Sequence, residues 1–265
     1  MSSASNLIDK DFTPQNLMIE TPRLILSDFE NRDFASFSNL FESLEQAGQK
    51  WFNVRASKPE SVHAFFNQII GNQTETPRQT YRLAIRLKDA VTGTPQLIGY
   101  VSLCQIQSHS EGTPDTGVLI DPLFQRDGFA REARLAIGHF AMSLGIERLF
   151  CDVKINNVSS TNNVLAMGYE QAHHNGVPVV IKTQTLDGIE DWYRYRISRS
   201  TFLDHLPVLL DRLSQRHWRP NGVVLSGDKT QIDDIIRISI GSGDVAVPIR
   251  RLKEIEVMET MKAVL

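Results

Sequence analysis

Only two cysteines, Cys104 and Cys151, occur in 265 residues, and both sit inside apolar stretches. A disulfide framework is therefore not expected, no metal-ligand spacing can be read, and the pair is taken as reduced core thiols. Neither sign of charge dominates: 28 basic against 31 acidic residues leave a formal net charge of −3. That balance supplies no bulk attraction to polyanions, so no nucleic acid and no membrane is expected as a partner. Long apolar runs are missing as well. No stretch approaches the roughly 20 residues of a membrane span, and Met1-Ser2-Ser3-Ala4-Ser5-Asn6 lacks the basic and apolar regions of a secretory signal. The expected location is cytoplasmic. What the chain does have is 41% hydrophobic and 22% charged residues, a mixture that builds a substantial soluble core.

A polar lead of about seventeen residues is expected to fray. Arg23 to Phe29 then reads as a strand, and Asp33 as the cap of a helix whose Phe34, Phe37, Leu40, Phe41 and Leu44 recur at helical spacing. A second helix is predicted over 62–70, with Pro59 in its first turn. Tyr81 to Leu87 and Leu97 to Ile106 flank a turn at 88–93 and form an antiparallel hairpin. Asp115 to Asp121 is a third strand, apolar on both faces and therefore central. Phe129, Ala133, Ala136, Ile137, Phe140 and Leu144 mark one face of a helix that Gly145 stops. A strand over 149–155, a short helix over 160–167 and strands over 177–182 and 192–198 follow. From Pro207 the character changes: a leucine-rich stretch, a Pro-Asn-Gly turn at 220–222, a helix capped by Thr230, and a last helix over 251–264 striped by Leu252, Ile255, Met258 and Met261.

The most informative stretch runs from Val118 to Ala130, a buried strand passing through a glycine turn straight into a helix. Amides in such a loop and first helical turn lack intrahelical partners, and the helix dipole favours negative charge there, which makes an anion site. Gly128 lets a phosphate approach the backbone, and Ala130 keeps the first turn uncrowded. Taken alone, one glycine between strand and helix is equally the ordinary turn of an α/β protein. Neither Gly-x-x-x-x-Gly-Lys-Ser/Thr nor Gly-x-Gly-x-x-Gly occurs, so nucleoside triphosphate and dinucleotide fingerprints are absent.

Gln125-Arg126-Asp127-Gly128-Phe129-Ala130 resembles the Q/R-x-x-G-x-G/A signature of the GNAT superfamily of acyl-CoA N-acyltransferases. Downstream, Asn157, Ser160, Gly168 and Tyr169 stand in register with the family's N-x-x-S and G-F element. Glu20-Thr21-Pro22-Arg23-Leu24-Ile25-Leu26 and Asp187-Gly188 with Asp191-Trp192-Tyr193 resemble the branch that includes ribosomal-protein N-terminal acetyltransferases (RimJ/RimL-like). The resemblance covers about 18 to 205. It implies an α/β (α+β) fold: a mixed, twisted, mostly antiparallel sheet with helices on both faces, in which the strand before the glycine loop and the strand after the long helix splay apart. The expected division is a flexible lead over 1–17, an acetyltransferase domain over 18–205 and a small C-terminal α/β appendage over 206–265.

The resemblance further implies acetyl-CoA as co-substrate, no metal, and an amine acceptor, either a protein N-terminus or a small molecule. Gln125, Arg126, Asp127, Gly128, Phe129, Ala130 and Arg131 would hold the CoA pyrophosphate, the main chain of Leu119 and Ile120 the pantetheine arm, and Asn157 and Ser160 would also bind CoA. Asp115, two positions before Gly117, aligns with the acidic residue of many members and is the candidate base. The tyrosine acid of many members is replaced by Val164, so Ser160 is the candidate acid, with capping of the short helix as its other reading. Asp152, on the strand after the long helix, either faces the cleft or is one of the solvated charges that alternating strands carry. His173 and His174 would point to opposite faces of a strand, which is poor geometry for a metal pair. Trp51, Phe52, Tyr81, Trp192 and Tyr193 either border the acceptor pocket or belong to the core. The appendage either packs within the chain, completes a homodimer or covers the acceptor site. A second reading of the whole is a catalytically degenerate module that binds acyl-CoA or a protein partner, since Val164 and Asn163 both depart from the motif.

Overall fold

Alternating burial opens the chain as two short strands, β1 (Leu17–Glu20) and β2 (Leu24–Ser27), whose Leu17, Ile19, Leu24 and Leu26 turn inward. The computed structural model of the protein describes residues 16–49, 54–88, 93–106, 113–185, 187–215 and 236–240. Helix α1 (Phe34–Gln46) buries Phe37, Leu40, Phe41 and Leu44 on the face their spacing predicts. Asp33 does not cap it: the carboxylate accepts from the Glu30 amide (2.8 Å) and from both arms of Arg86 (2.9 and 2.7 Å). Helix α2 (Pro59–Gln73) starts at the proline and is longer than the predicted 62–70. Strands β3 (Tyr81–Leu87), β4 (Gln96–Cys104) and β5 (Asp115–Ile120) pair antiparallel in succession.

Helix α3 (Phe129–Ser143), strand β6 (Arg148–Lys154) and helix α4 (Val158–Ala166) follow. The strand expected over 177–182 is divided. Short strands β8 (His173–His174) and β9 (Val177–Pro178) make their own exposed hairpin, whereas β10 (Val180–Thr185) pairs with β11 (Gly188–Ser198), and β7 (Glu170–Gln171) joins β11 on the side. Helix α5 (Arg199–Gln215) and strand β12 (Arg237–Ile240) complete the described chain.

The main sheet runs β10-β11-β6-β5-β4-β3-β2-β1-β12, and its described pairs are antiparallel except β5 with β6. Helices cover both faces. On one side α1 and α2 close a core of Phe29, Phe37, Phe41, Phe66, Tyr100 and Leu119. On the other, α3 lies over β1 to β5, and α5 lies over α3. Sandwiched this way, α3 buries every residue from Glu132 to Met142, although its sequence shows one apolar face. The expected boundary at 205/206 falls inside α5, which continues through Pro207 and places Leu206, Leu209 and Leu210 in the same core as Phe202. The turn at 220–222, the helix at Thr230 and the helix over 251–264 lie outside the described residues, as do 1–15. No described helix is long and apolar enough to cross a membrane.

Candidate functional site

The single parallel pair among the described strands, β5 with β6, is held by one registered pair alone, Asp115 with Phe150, closed by the Phe150 amide on the Pro114 carbonyl (2.9 Å). Beyond it the two strands diverge, which opens a V whose apex is at Asp115. The Asp121 amide donates to the Ile98 carbonyl of β4 (2.8 Å), so the two-residue alternation of an antiparallel ladder turns the Leu119 and Gly117 main chain toward β4 and that of Val118 and Ile120 toward the gap. Of the two residues expected to offer main-chain groups, Ile120 therefore does so; Leu119 offers its side chain to the α1 face instead. Val118 is the gap-facing residue that sequence reasoning omitted.

At the open end of the V the chain makes the glycine turn that leads into α3. Asp121 accepts from the Leu123 amide (2.9 Å) and from Ser43 Oγ of α1 (2.9 Å). Gln125 reaches back to the Ile120 carbonyl (2.8 Å) and exchanges amide bonds with Gln49 (3.0 and 3.1 Å). Arg126 and Gly128 both have positive φ, 73° and 83°. That conformation suits Gly128 and strains Arg126. It curls the main chain so that successive amides converge, an arrangement known to hold anions. The first bonds of α3 run from the Arg131 and Glu132 amides to the Gly128 carbonyl (3.1 Å each), so the amides of 128–130 precede the ladder at the positive end of the helix. Arg126 and Asp127 are exposed, Ala130 and Arg131 half-buried, and Phe129 buried.

Behind the loop lies a support that sequence reasoning missed. Glu132, buried in the first turn of α3, accepts from Thr21 Oγ1 (2.6 Å), the Arg23 amide (3.0 Å) and Arg23 Nε (2.6 Å). Arg23 lies over the Phe129 ring at 4.5 Å and donates from Nη1 to the Asp127 carbonyl (3.0 Å). The Thr-Pro-Arg segment between β1 and β2 thus fixes the loop from below. The only signal for it in the sequence is the motif resemblance at 20–26, which does not name a partner.

Asp115, at the apex, shares the α1/α2 side of the sheet with Phe150 and Asp152, because its neighbour Thr116 points the other way and accepts from Arg134 of α3. Burial, and after it the charge of Asp152, raises the Asp115 carboxyl to about 6, with Arg194 and Arg82 partly opposing. Asp152 is not a solvated strand charge: it is half-buried and bidentate with Arg194 (2.8 and 2.7 Å). Cys104, opposite Asp115 on β4, has its thiol pushed up to about 11 by burial first and Asp115 second, which suppresses its nucleophilicity.

On α4, Asn157 is the cap, accepting from the Ser160 amide (3.1 Å), so Ser160 is the residue capped rather than the one capping. Ser160 is half-buried and lies one turn before the buried Val164 on the same side of the helix. Tyr81 is core, 1% exposed and edge-on to Phe140, whereas Trp192 and Tyr193 are half-buried on β11. Trp51 and Phe52 lie outside the described residues. Among the described residues no group of three or more His, Cys, Asp or Glu side chains is placed to hold a metal. Arg55 joins the α1–α2 connection to the β10–β11 turn through Asp187 (3.0 Å).

A sheet with one splayed parallel pair, a curled amide loop at its mouth and a helix leading away defines an acyltransferase architecture. Residues 23–170 match the Acetyltransferase (GNAT) domain family, more than half of the chain, and the protein belongs to that family. Its fold is shared with Mycobacterium smegmatis RimJ in complex with CoA-disulfide (TM-score 0.61, 14% identity, 78% of this chain and 100% of that one). It is also shared with a GNAT-family acetyltransferase from Bacillus anthracis (TM-score 0.54, 17% identity, 69% and 99%). A third match is the spermidine N-acetyltransferase of Vibrio cholerae in complex with CoA and spermine (TM-score 0.51, 18% identity, 71% and 98%). No curated protein sequence matches the chain.

Proposed function

We propose that this protein transfers the acetyl group of acetyl-CoA to a primary amine, a protein N-terminus or a small-molecule amine, by direct attack in a ternary complex. The observation that carries this reading is the V between β5 and β6, which runs from the half-buried Asp115 carboxylate to the curled 125–130 main chain at the start of α3. In this reading the amides of 126–130, with Gln125 and Arg131 at their edges, hold the pyrophosphate, and the gap-facing main chain of Val118 and Ile120 pairs with the pantetheine amides. Unpaired amides there also stabilise the oxyanion. Asn157 and Ser160 approach the sulfur from α4.

The amine nitrogen attacks the thioester carbonyl carbon, forming the C–N bond. Collapse of the tetrahedral intermediate breaks the C–S bond, and the amine loses one proton to Asp115, directly or through water. The departing thiolate takes a proton from Ser160 or solvent. An α-amine, with a pKa of about 8, makes a smaller demand on such a base than a lysine at about 10.4. The structural neighbour that is a spermidine N-acetyltransferase supports a small-molecule amine as one of these acceptor classes.

Calorimetric titration with acetyl-CoA, followed by an amine panel scored for CoA release, tests the reading. Micromolar binding that Gly128→Glu abolishes, with turnover lost but binding kept in Asp115→Asn, is the expected result. Absence of acetyl-CoA binding to the wild-type protein overturns it, and binding without turnover on any amine would favour the degenerate module.

A further inference from the structure

Arg134, in the second turn of α3, is 3% exposed and has no carboxylate among its contacts. A guanidinium stays protonated even when buried, and burying one without a counter-charge is costly unless its donors are well used. Nη1 donates to the Thr116 carbonyl (3.3 Å) and hydroxyl (3.0 Å) on β5 and to Cys151 Sγ (3.2 Å) on β6, and Nε donates to Asn163 Oδ1 (3.2 Å) on α4. The Tyr169 hydroxyl closes the cage on Thr116 Oγ1 (3.2 Å). Burial raises the Cys151 thiol, against a smaller pull from Arg134, so the sulfur acts as a neutral acceptor.

These contacts surround the apex of the V. Thr116 follows the last registered residue of β5, Cys151 follows its partner Phe150, and Asn163 lies one helical turn beyond Ser160 on α4. One side chain therefore touches both strands that diverge and the helix that flanks the opening. Asn163, which departs from the apolar residue of the motif, has its explanation here: it accepts from the buried cation.

We propose that Arg134 is a positioning residue which sets the spacing between the gap-facing strand β5 and the Ser160 face of α4, and so the fit of the thioester end in the apex. It touches no substrate; it acts through Thr116 and Asn163. This inference rests on the acetyl-transfer reading for its catalytic consequence but not for its structural one.

The test uses the full chain with Arg134→Met, Arg134→Lys and Asn163→Ala, beside Leu206→Ala as a destabilised control in the α5 core. The ratio of kcat/KM for propionyl-CoA to that for acetyl-CoA is the readout, because it does not depend on the fraction of folded enzyme. Arg134→Met should shift the ratio toward propionyl-CoA by about tenfold, the scale of a sub-ångström misplacement. Asn163→Ala should shift it in the same direction by less, Arg134→Lys should recover part of it, and Leu206→Ala should leave it unchanged. In parallel, hydrogen exchange without CoA should quicken selectively in α4 and at 118–120 in Arg134→Met, or in Asn163→Ala if the former does not fold. An unchanged ratio, or exchange that quickens no more there than in the Leu206→Ala control, overturns the proposal. If the wild-type protein fails to bind acetyl-CoA, the functional reading fails, and the exchange experiment alone decides the role of Arg134.

Discussion

A β-carbon added to Gly99 would sit 2.1 Å from the carbonyl oxygen of Leu119. The two strands approach so closely at this point that the β5 main chain is held against β4 by backbone contact, and any side chain at 99 must push it toward the gap. Gly99→Ala is expected to cost about 1–3 kcal/mol by overpacking and to weaken acetyl-CoA binding as well. Urea denaturation and calorimetry on the same preparation measure both. A loss of stability with unaltered affinity would mean that β5 does not set the binding edge.

The buried pair of Glu132 and Arg23 supports the loop, and removing one partner leaves a charge without compensation. Glu132→Ala should lower stability by about 3–5 kcal/mol. The milder Glu132→Gln retains hydrogen bonding and should keep the fold while reducing acetyl-CoA affinity, because Arg23 is then less firmly directed at the Asp127 carbonyl. Chemical denaturation midpoints and binding isotherms of the two variants give the comparison.

Folding raises the Asp115 carboxyl from 3.8 to about 6. The native state therefore holds a proton that the unfolded chain releases between these values, so this group's contribution to stability grows as pH falls through that window and is a cost at neutral pH. In the proposed mechanism the base must be ionised, so the expected effect on turnover is opposite: activity should fall as pH drops through about 6. Burial, the larger cause of the Asp115 shift, is unchanged in Asp152→Asn, but the neighbouring charge that adds to it is removed and Arg194 still acts on it, which should move the acid limb to lower pH. A pH profile of kcat for the wild type, Asp152→Asn and Asp115→Asn checks the direction of each.

His139 is fully buried on α3 with both ring nitrogens unpartnered, and burial holds its pKa at about 4. Here the unfolded chain binds the extra proton, so the contribution is whole above the ordinary histidine value of about 6.5 and is lost as pH falls from there toward 4. At pH 5 the loss is on the order of 2 kcal/mol. His139→Leu should remove that component, seen as a smaller drop in urea midpoint between pH 7 and pH 5 than in the wild type.

Strand β3 appears at the residues its alternation predicts, and α1 and α3 start within a residue or two of the expected positions, because period and punctuation are local properties. Strand β1 starts where the lead expected to fray ends and was not read as a strand: four residues carry too little pattern, and they are held by pairing with β2 and with β12, more than two hundred residues away. Helix α5 was obscured by Pro207, a helix breaker that packing of Phe202, Leu206 and Leu210 overrides. At the site, Gln125 to Ala130 was legible because the turn needs a glycine at one position. The roles of Glu132, Arg134 and Asp152 were not, since a charge in a helix or strand pattern reads as solvated until a second layer covers it.

By itself the sequence determined the order of most elements, the glycine turn ahead of α3 and the resemblance to the GNAT family, all of which depend on residues close together in the chain. Only the tertiary structure decided that β5 and β6 part after one pair, that Arg23 meets Glu132 and that Arg134 is enclosed without a carboxylate. Those outcomes depend on contacts between distant segments, where burial changes what a charge costs and therefore what it does.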